Sequence, residues 1–156
     1  MSEEFEYRGR WALVTGASMG IGEGFARALA GRGMNVALVA RSADRLQALA
    51  RAIEAEHGVR AVAIPVDLAE PGGPARAWAE AGRAGPVHLL VNNAGFGLQG
   101  RFDQAPMERQ SEMVALNCTA LLELAHLALG EMRPRGAGGI INVGSVVAFQ
   151  PVPGKA

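Results

Sequence analysis

Short apolar runs alternate with longer helical stretches along this chain, and that alternation limits the possible folds more than any other feature. The run at residues 35–40, Asn-Val-Ala-Leu-Val-Ala, has almost no polar residue on either face, which is typical of a strand buried on both sides in a parallel sheet. Successive strand–helix–strand units form right-handed crossovers, and these place helices on both faces of such a sheet. We therefore predict one α/β domain over residues 1–156, built on a doubly wound parallel sheet of about five strands.

Hydrophobic spacing and stop signals predict the individual elements. Leu46, Leu49 and Ile53 share one face of a helix that Ser42 can cap. Pro65 falls near the end of the third strand, which suits a strand at the edge of the sheet. Strands are predicted at residues 11–15, 35–40, 61–66, 87–91 and 139–143. Helices are predicted at residues 21–30, 43–57, 74–84 and 107–132.

Composition and charge narrow the possible partners. Lysine and arginine total 15 and so do aspartate and glutamate, so no basic excess favours nucleic acid or an anionic membrane. The acidic start lacks the pattern of a secretory signal, and no uncharged apolar run approaches the roughly 20 residues that span a bilayer. Cys118 is the only cysteine, which excludes an internal disulfide, and we expect it to be buried. His57, His88 and His126 do not have metal-ligand spacing. We expect a cytoplasmic protein with no metal site, nucleic-acid partner or membrane partner.

A glycine-rich segment, Thr-Gly-Ala-Ser-Met-Gly-Ile-Gly at residues 15–22, joins the first strand to the first helix. Gly16 permits a tight turn, Gly20 lets the backbone approach a pyrophosphate, and Gly22 allows close packing of helix on strand. The free N–H groups at the start of the helix can bind such an anion. The position between a buried strand and an amphipathic helix favours a dinucleotide site over an ordinary turn. The predicted cofactor contacts here are Gly16, Ser18, Gly20, Ile21 and Gly22.

The chain resembles the short-chain dehydrogenase/reductase family in its short form. Three residues separate the first two glycines, and Asn-Asn-Ala-Gly follows the fourth strand at residues 92–95. Asn117 lies in the long helix, and Ile-Asn-Val-Gly-Ser ends at Ser145 after the fifth strand. These motifs occur in the family's order. The resemblance implies a Rossmann-like fold and hydride transfer between a nicotinamide and a carbonyl or alcohol substrate.

The same resemblance implies further contacts to the cofactor. Asn93, Ala94 and Gly95 would line it, with small residues leaving room for the ribose. Asp67, followed by Leu68, would accept a hydrogen bond from the adenine amino group. The alternative for Asp67 is an ordinary helix N-cap.

Arg41 bears on the choice between the two nicotinamide dinucleotides. NAD enzymes carry an acid at the end of the second strand, where this chain has Ala40. The guanidinium of Arg41 can bind a 2′-phosphate bidentately, and Ser42 could add a hydroxyl. Met19 stands where the family's other NADP marker, a basic residue, would be. We predict NADP(H), with NAD less favoured; the alternative for Arg41 is a solvated loop cation.

The resemblance also implies catalytic residues, and here the chain departs from the family. Asn117 would distort its helix and hold a water of a proton relay, although a buried asparagine with satisfied hydrogen bonds is the alternative. Ser145 would hydrogen-bond the substrate oxygen. The family's tyrosine lies about a dozen residues beyond the serine, and its lysine four further on, which is past the last residue here. Tyr7 and Lys155 are the only residues of these types, and neither has the right position.

We therefore interpret the chain as an incomplete copy of an NADP-dependent oxidoreductase. The alternative is a non-catalytic NADP-binding or interaction module; an epimerase-type relative is disfavoured because its glycine motif is shorter. Apolar residues at 96–98 and 147–149 suggest an apolar wall for a small carbonyl or alcohol substrate. The helix at 107–132 could support a homo-oligomer, and the fifth strand would be an exposed sheet edge.

Overall fold

The computed structural model describes residues 5–149, while residues 1–4 and 150–156 lie outside the described part. Its sheet has five parallel strands in the order β3-β2-β1-β4-β5. The strands are β1 (Trp11–Thr15), β2 (Asn35–Ala40), β3 (Ala61–Pro65), β4 (Val87–Asn92) and β5 (Gly139–Asn142). This sheet confirms the predicted fold class, and each strand ends within one residue of its predicted end. Pro65 ends the edge strand β3, as its missing N–H favours.

Helices cover both faces of the sheet. They are α1 (Gly20–Ala30), α2 (Ala43–His57), α3 (Gly73–Ala84), α4 (Met107–Val114) and α5 (Leu121–Arg135). A π-helical segment, Ala115–Ala120, joins α4 to α5, and short 3₁₀ turns occur at Phe102–Gln104 and Val146–Ala148.

The side chains of β1 alternate between the two faces of the sheet, and both faces are covered by helices. Ala12 and Val14 belong to the core under α1 and α2, whereas Leu13 belongs to the core under α3 and α5. All five residues of β1 are buried. Because successive side chains of a strand point to opposite faces, both faces must be apolar when both are covered.

Neither Ser42 nor Asp67 caps a helix with its side chain, which excludes the alternative given above for Asp67. Ser42 occupies the N-cap position of α2, but its side chain makes no capping hydrogen bond. Asp67 caps no helix, because α3 begins only at Gly73, after Gly72 in the left-handed region. The Asp67 carboxylate instead accepts a hydrogen bond from the Ala69 N–H at 2.9 Å, a local turn that aspartate commonly forms.

The long C-terminal helix differs from its prediction at its end and at Cys118. It continues through Pro134 to Arg135 rather than ending at 132, because its stop signal is Gly136 with φ of 65°. It also contains the π-helical segment, in which Asn117 lies. Cys118, expected to be buried, is exposed.

The same helix is unusually apolar for its exposure. Over Met107–Arg135, one 18-residue window has a mean hydropathy of 1.5 although only 17% of that window is buried. By length and composition alone this helix could cross a membrane, but one such helix is weak evidence for a span. Its exposed apolar residues recur at intervals of seven or eight, at Met107, Val114, Leu122 and Leu129.

Candidate functional site

The predicted site residues gather at one edge of the sheet, where the strands end. β1 has β2 on one side and β4 on the other, so the strand order reverses at β1. In open α/β sheets, ligands bind in the crevice at such a point, beyond the carboxyl ends of the strands. The glycine turn follows β1, Arg41 follows β2, Asp67 follows β3, Asn93 follows β4 and Ser145 follows β5.

The glycine turn has the geometry that close packing requires. Gly16 has φ of 65°, and a Cβ there would lie 2.9 Å from the Cα of Ala94. A Cβ on Gly22 would overlap the carbonyl oxygen of Gly16. These two glycines therefore let α1 and the end of β4 pack against the turn, as predicted for Gly22.

The start of α1 is open and uncapped. Met19 at the N-cap position makes no side-chain hydrogen bond. Gly20 has φ of 60°, and a Cβ added to it would meet nothing within 4 Å, while Ile21 is 65% exposed. An uncapped helix start beside an open glycine fits a diphosphate, because its N–H groups have no other partner from a capping side chain.

Thr15 ties the glycine turn to the end of β4, a role that the sequence analysis missed. Its hydroxyl donates to the Val91 carbonyl at 3.2 Å and accepts from the N–H groups of Asn93 and Ala94, both at 2.9 Å. The Asn93 amide in turn donates to the Thr15 carbonyl at 2.9 Å. The only signal in the sequence was a hydroxyl at the end of an otherwise apolar strand.

Asn117 fixes the loop after β4. Its Nδ2 donates to the Phe96 carbonyl at 2.8 Å, and its Oδ1 accepts from the Phe96 N–H at 3.1 Å. A Cβ on Gly95 would lie 3.0 Å from that same Oδ1. Asn117 is exposed rather than buried as expected, because the π-helical segment turns it towards the loop. The predicted distortion of the helix is present, whereas the role of Asn117 in a proton relay stays a prediction.

Arg41 lies next to two acids, although its side chain is 66% exposed. Its Nη1 lies 3.3 Å from Glu112 Oε1 and 3.8 Å from Asp67 Oδ2. A second cation is close to the glycine turn, since Arg45 Nη1 lies 4.0 Å from the sulfur of Met19. Met19 is the position at which the expected basic residue is missing, so the fold brings Arg45 there from α2.

Two further predicted contacts, Leu68 and Ser145, differ in their exposure to solvent. Leu68 is 6% exposed and packs in the core under α3, which leaves only its backbone to face a cofactor. Ser145 is exposed, and its Oγ accepts from the Val147 N–H at 3.3 Å, so the hydroxyl proton is free to donate. Of the apolar residues predicted to line the substrate position, Phe149 is 92% exposed and Val147 is 40% exposed.

The described residues contain no tyrosine near Ser145. Tyr7 precedes β1, at the opposite edge of the sheet, where its ring packs edge-on against Phe5 at 5.1 Å. Lys155 lies outside the described residues. Within residues 5–149, no group of three or more histidine, cysteine, aspartate or glutamate side chains could hold a metal ion.

The fold and the glycine turn define a Rossmann-like domain with a ligand crevice at the switch point of its sheet. A family model described as "short chain dehydrogenase" matches residues 10–156. The chain belongs to the short-chain dehydrogenase family. It is 36% identical over 149 residues to a very-long-chain 3-oxoacyl-CoA reductase of Laccaria bicolor, covering 94% of this chain and 44% of the relative.

Solved structures with the same fold include two proteins in complex with NADPH. One is a short-chain dehydrogenase from Sphingobium yanoikuyae, with 39% identity and a TM-score of 0.87 over 93% of this chain and 57% of that one. The other is L-sorbose reductase from Gluconobacter frateurii, complexed with NADPH and L-sorbose, with 35% identity and a TM-score of 0.90 over 99% and 59% of the two chains. This chain therefore spans less than two thirds of each of these proteins.

Proposed function

We propose that this chain is the NADP(H)-binding part of an oxidoreductase that transfers hydride between a nicotinamide and a carbonyl or alcohol. The observation that carries the proposal is the open, uncapped start of α1 beside Gly20, with Arg41 at the end of the neighbouring strand β2. The NADPH complexes of the two similar solved structures support the choice of cofactor. Bound NADP(H) supplies the hydride donor or acceptor; this chain binds and orients it.

The phosphate-binding residues follow from their charge and position. The N–H groups at the start of α1 would hold the diphosphate. Arg41 would bind the 2′-phosphate, with Ser42 offering a hydroxyl that makes no capping bond to α2. Arg45 would add a second positive charge at the Met19 side of the crevice. An acid at position 40 would repel this phosphate, and Ala40 avoids that repulsion.

The remaining cofactor contacts would come from the ends of β3 and β4. Asp67 has one oxygen engaged by the Ala69 N–H and the other facing Arg41, so a lone pair stays available for an adenine amino group. The backbone of Asn93 and Ala94 is held by Thr15. Because those two peptides cannot rotate freely, they would present a fixed surface to the ribose, with Gly95 next to them.

Ser145 and Asn117 would act on the substrate side. Ser145 has a free hydroxyl proton and can therefore hydrogen-bond a substrate oxygen. Asn117 would hold the loop at Phe96 in place, and its second amide proton could bind the water of a proton relay. Neither side chain is an acid of suitable pKa, so proton transfer needs a further group that the described residues do not bring to the site.

The second candidate function is a module that binds NADP(H) without turnover. Tyr7 is the only tyrosine, and it lies at the wrong edge of the sheet. A positioned general acid contributes roughly 10²–10⁴ in rate. If no such group reaches Ser145, the chain would bind the cofactor and reduce carbonyls only slowly.

A titration of the chain with NADPH and with NADH, followed by nicotinamide fluorescence, tests the proposed binding function. We expect tighter binding of NADPH, and about tenfold weaker NADPH binding in Arg41→Ala, because a hydrogen bond to a charged group contributes about 1.5 kcal/mol or more. Arg51→Ala is the matched control, since Arg51 is an exposed arginine of α2. Equal affinity for the two dinucleotides would refute the role of Arg41. NADPH consumption with a panel of carbonyls then separates the enzyme from the binding module.

We also propose that the long helix forms a homo-oligomer. Met107, Val114, Leu122 and Leu129 are each more than half exposed and recur every two helical turns, so they form one apolar stripe. Leu122→Glu should shift the chain to a smaller species in light scattering, whereas Glu123→Gln, next to it, should not. A monomeric wild-type chain would refute this.

A further inference from the structure

Four charged side chains from three parts of the chain meet beside the proposed 2′-phosphate position. Arg41 comes from the end of β2, Asp67 follows β3, and Arg109 and Glu112 lie on α4. Arg41 contacts both acids, at 3.3 Å from Glu112 and 3.8 Å from Asp67. Arg109 Nη1 pairs with the other oxygen of Glu112. Two cations and two anions leave this cluster with no net charge.

Glu112 is the strongest partner of Arg41 in this cluster. It is the closer of the two acids, and its side chain is 25% exposed, so solvent screens its carboxylate less than it screens a fully exposed one. Arg41 itself is 66% exposed and therefore free to change partners. A phosphate approaching Arg41 would meet a guanidinium that a carboxylate already occupies.

Glu112 also keeps a partner if Arg41 leaves it. Arg109 is bound to its second oxygen, and the Arg109 guanidinium carbon lies 4.8 Å from the centre of the Phe96 ring. That contact with an aromatic face holds Arg109 near Glu112. Release of Arg41 therefore does not leave a half-buried carboxylate alone, which would otherwise oppose the exchange.

Resting on the proposed NADP(H) site, we propose that Glu112 is a specificity-determining residue that competes with the cofactor's 2′-phosphate for Arg41. With no 2′-phosphate present, Arg41 pairs with Glu112. With NADP(H), Arg41 exchanges that carboxylate for the phosphate, and Glu112 pairs with Arg109 alone. The negative charge of Glu112 thus weakens the preference for NADP(H) over NAD(H) that Arg41 creates.

Removing that charge should strengthen NADPH binding selectively. We expect Glu112→Gln to lower the Kd for NADPH about three- to fivefold, within the range that partly exposed ion pairs reach. The Kd for NADH should not change, because NADH carries no phosphate at this position. High salt should reduce the difference, since screening weakens all of these pairs.

Equilibrium titrations with NADPH and NADH on five chains test this proposal: wild type, Glu112→Gln, Glu112→Ala, Arg41→Ala and the double variant Arg41→Ala/Glu112→Gln. The alanine variant is included because a glutamine oxygen can still accept a hydrogen bond from Arg41. Glu108→Gln is the matched control, one turn earlier on α4, exposed and in none of the observed ion pairs of residues 5–149. Thermal unfolding of each variant reports whether it is folded.

The expected pattern is tighter NADPH binding in both Glu112 variants, no change in Glu108→Gln, and no effect of Glu112→Gln once Arg41 is alanine. Unchanged or weaker NADPH binding in the folded Glu112 variants would overturn the proposal; weaker binding would mean that Glu112 positions Arg41 for the phosphate. The two proposals fail separately. If the wild type does not bind NADPH more tightly than NADH, the proposed NADP(H) site is refuted. If that preference is lost in Arg41→Ala but is unchanged in the Glu112 variants, only the proposed competition is refuted.

Discussion

Replacing Thr15 by valine should destabilise the domain although it changes the shape of the side chain very little. Thr15 is 1% exposed, and its hydroxyl makes three hydrogen bonds, to the Val91 carbonyl and to the N–H groups of Asn93 and Ala94. Valine puts a methyl group where the hydroxyl was. The two N–H groups then lose their acceptor, and no other group of the turn takes its place in the structure.

The magnitude follows from those two donors. A buried donor left without a partner costs about 1–3 kcal/mol. Asn93 and Ala94 lie beside the open crevice and are only half-buried, so water can satisfy them in part and the lower end of that range applies. We expect Thr15→Val to lower the free energy of unfolding by about 2 kcal/mol. Thr15→Ser keeps the hydroxyl and loses one methyl group, which costs about 1 kcal/mol.

Chemical denaturation of wild type, Thr15→Val and Thr15→Ser measures both values, provided that the three transitions have the same slope. NADPH titration supplies a second readout, because only the valine variant releases the Asn93 and Ala94 peptides. The reasoning would be refuted if Thr15→Val lost less than about 0.5 kcal/mol, or less than Thr15→Ser, since the hydroxyl would then contribute nothing that the methyl groups do not.

Two further predictions concern α1 and β4. Gly22→Ala should greatly weaken NADPH binding, measured by fluorescence titration, because its Cβ would overlap the Gly16 carbonyl. Gly24→Ala on the same helix is the control, since its Cβ would meet nothing within 4 Å. It should raise the free energy of unfolding by about 0.5–1 kcal/mol. Equal binding by both variants would contradict the packing argument. The second prediction concerns His88, whose pKa in the folded state is lowered mainly by burial and also by the nearby charge of Arg135. The unfolded chain therefore binds the proton more readily than the folded chain. The free energy of unfolding should fall as the pH drops below about 6.5. Denaturation midpoints at several pH values check this, and His88→Gln should remove that part of the dependence; an unchanged profile would show that His88 does not cause it.

The elements of the fold were predictable because each depends on residues close together in the chain. The apolar run of β2 and the helical face of Leu46, Leu49 and Ile53 needed only local spacing, and both lie where predicted. The long helix was predicted as one element but with the wrong end. Its stop is a local signal, Gly136, which lies beyond the predicted end. Its π-helical segment contains Asn117, whose side chain bonds to Phe96 across the loop after β4, and the spacing of apolar residues does not report that contact.

The candidate site was predictable as a set of residues and not as a set of contacts. Motif order was enough to choose Gly16, Asn93 and Ser145 and to expect them at one edge of the sheet. The partners of those residues were not predicted. Arg41 looked like either a phosphate ligand or a solvated cation, and Glu112 was not considered because it precedes no motif and ends no strand.

Local sequence patterns were enough to predict the class of fold and the end of the sheet at which polar groups collect. Apolar periodicity and glycine placement are local properties, and in a parallel sheet they decide which ends of the strands face the crevice. The folded structure was needed to find the hydrogen bonds of Thr15, whose partners lie 76 to 79 residues away. It was also needed to find the ion pair of Arg41 with Glu112, which spans 71 residues. Such contacts depend on how strands and helices are placed in space, and no local pattern of residues encodes that placement.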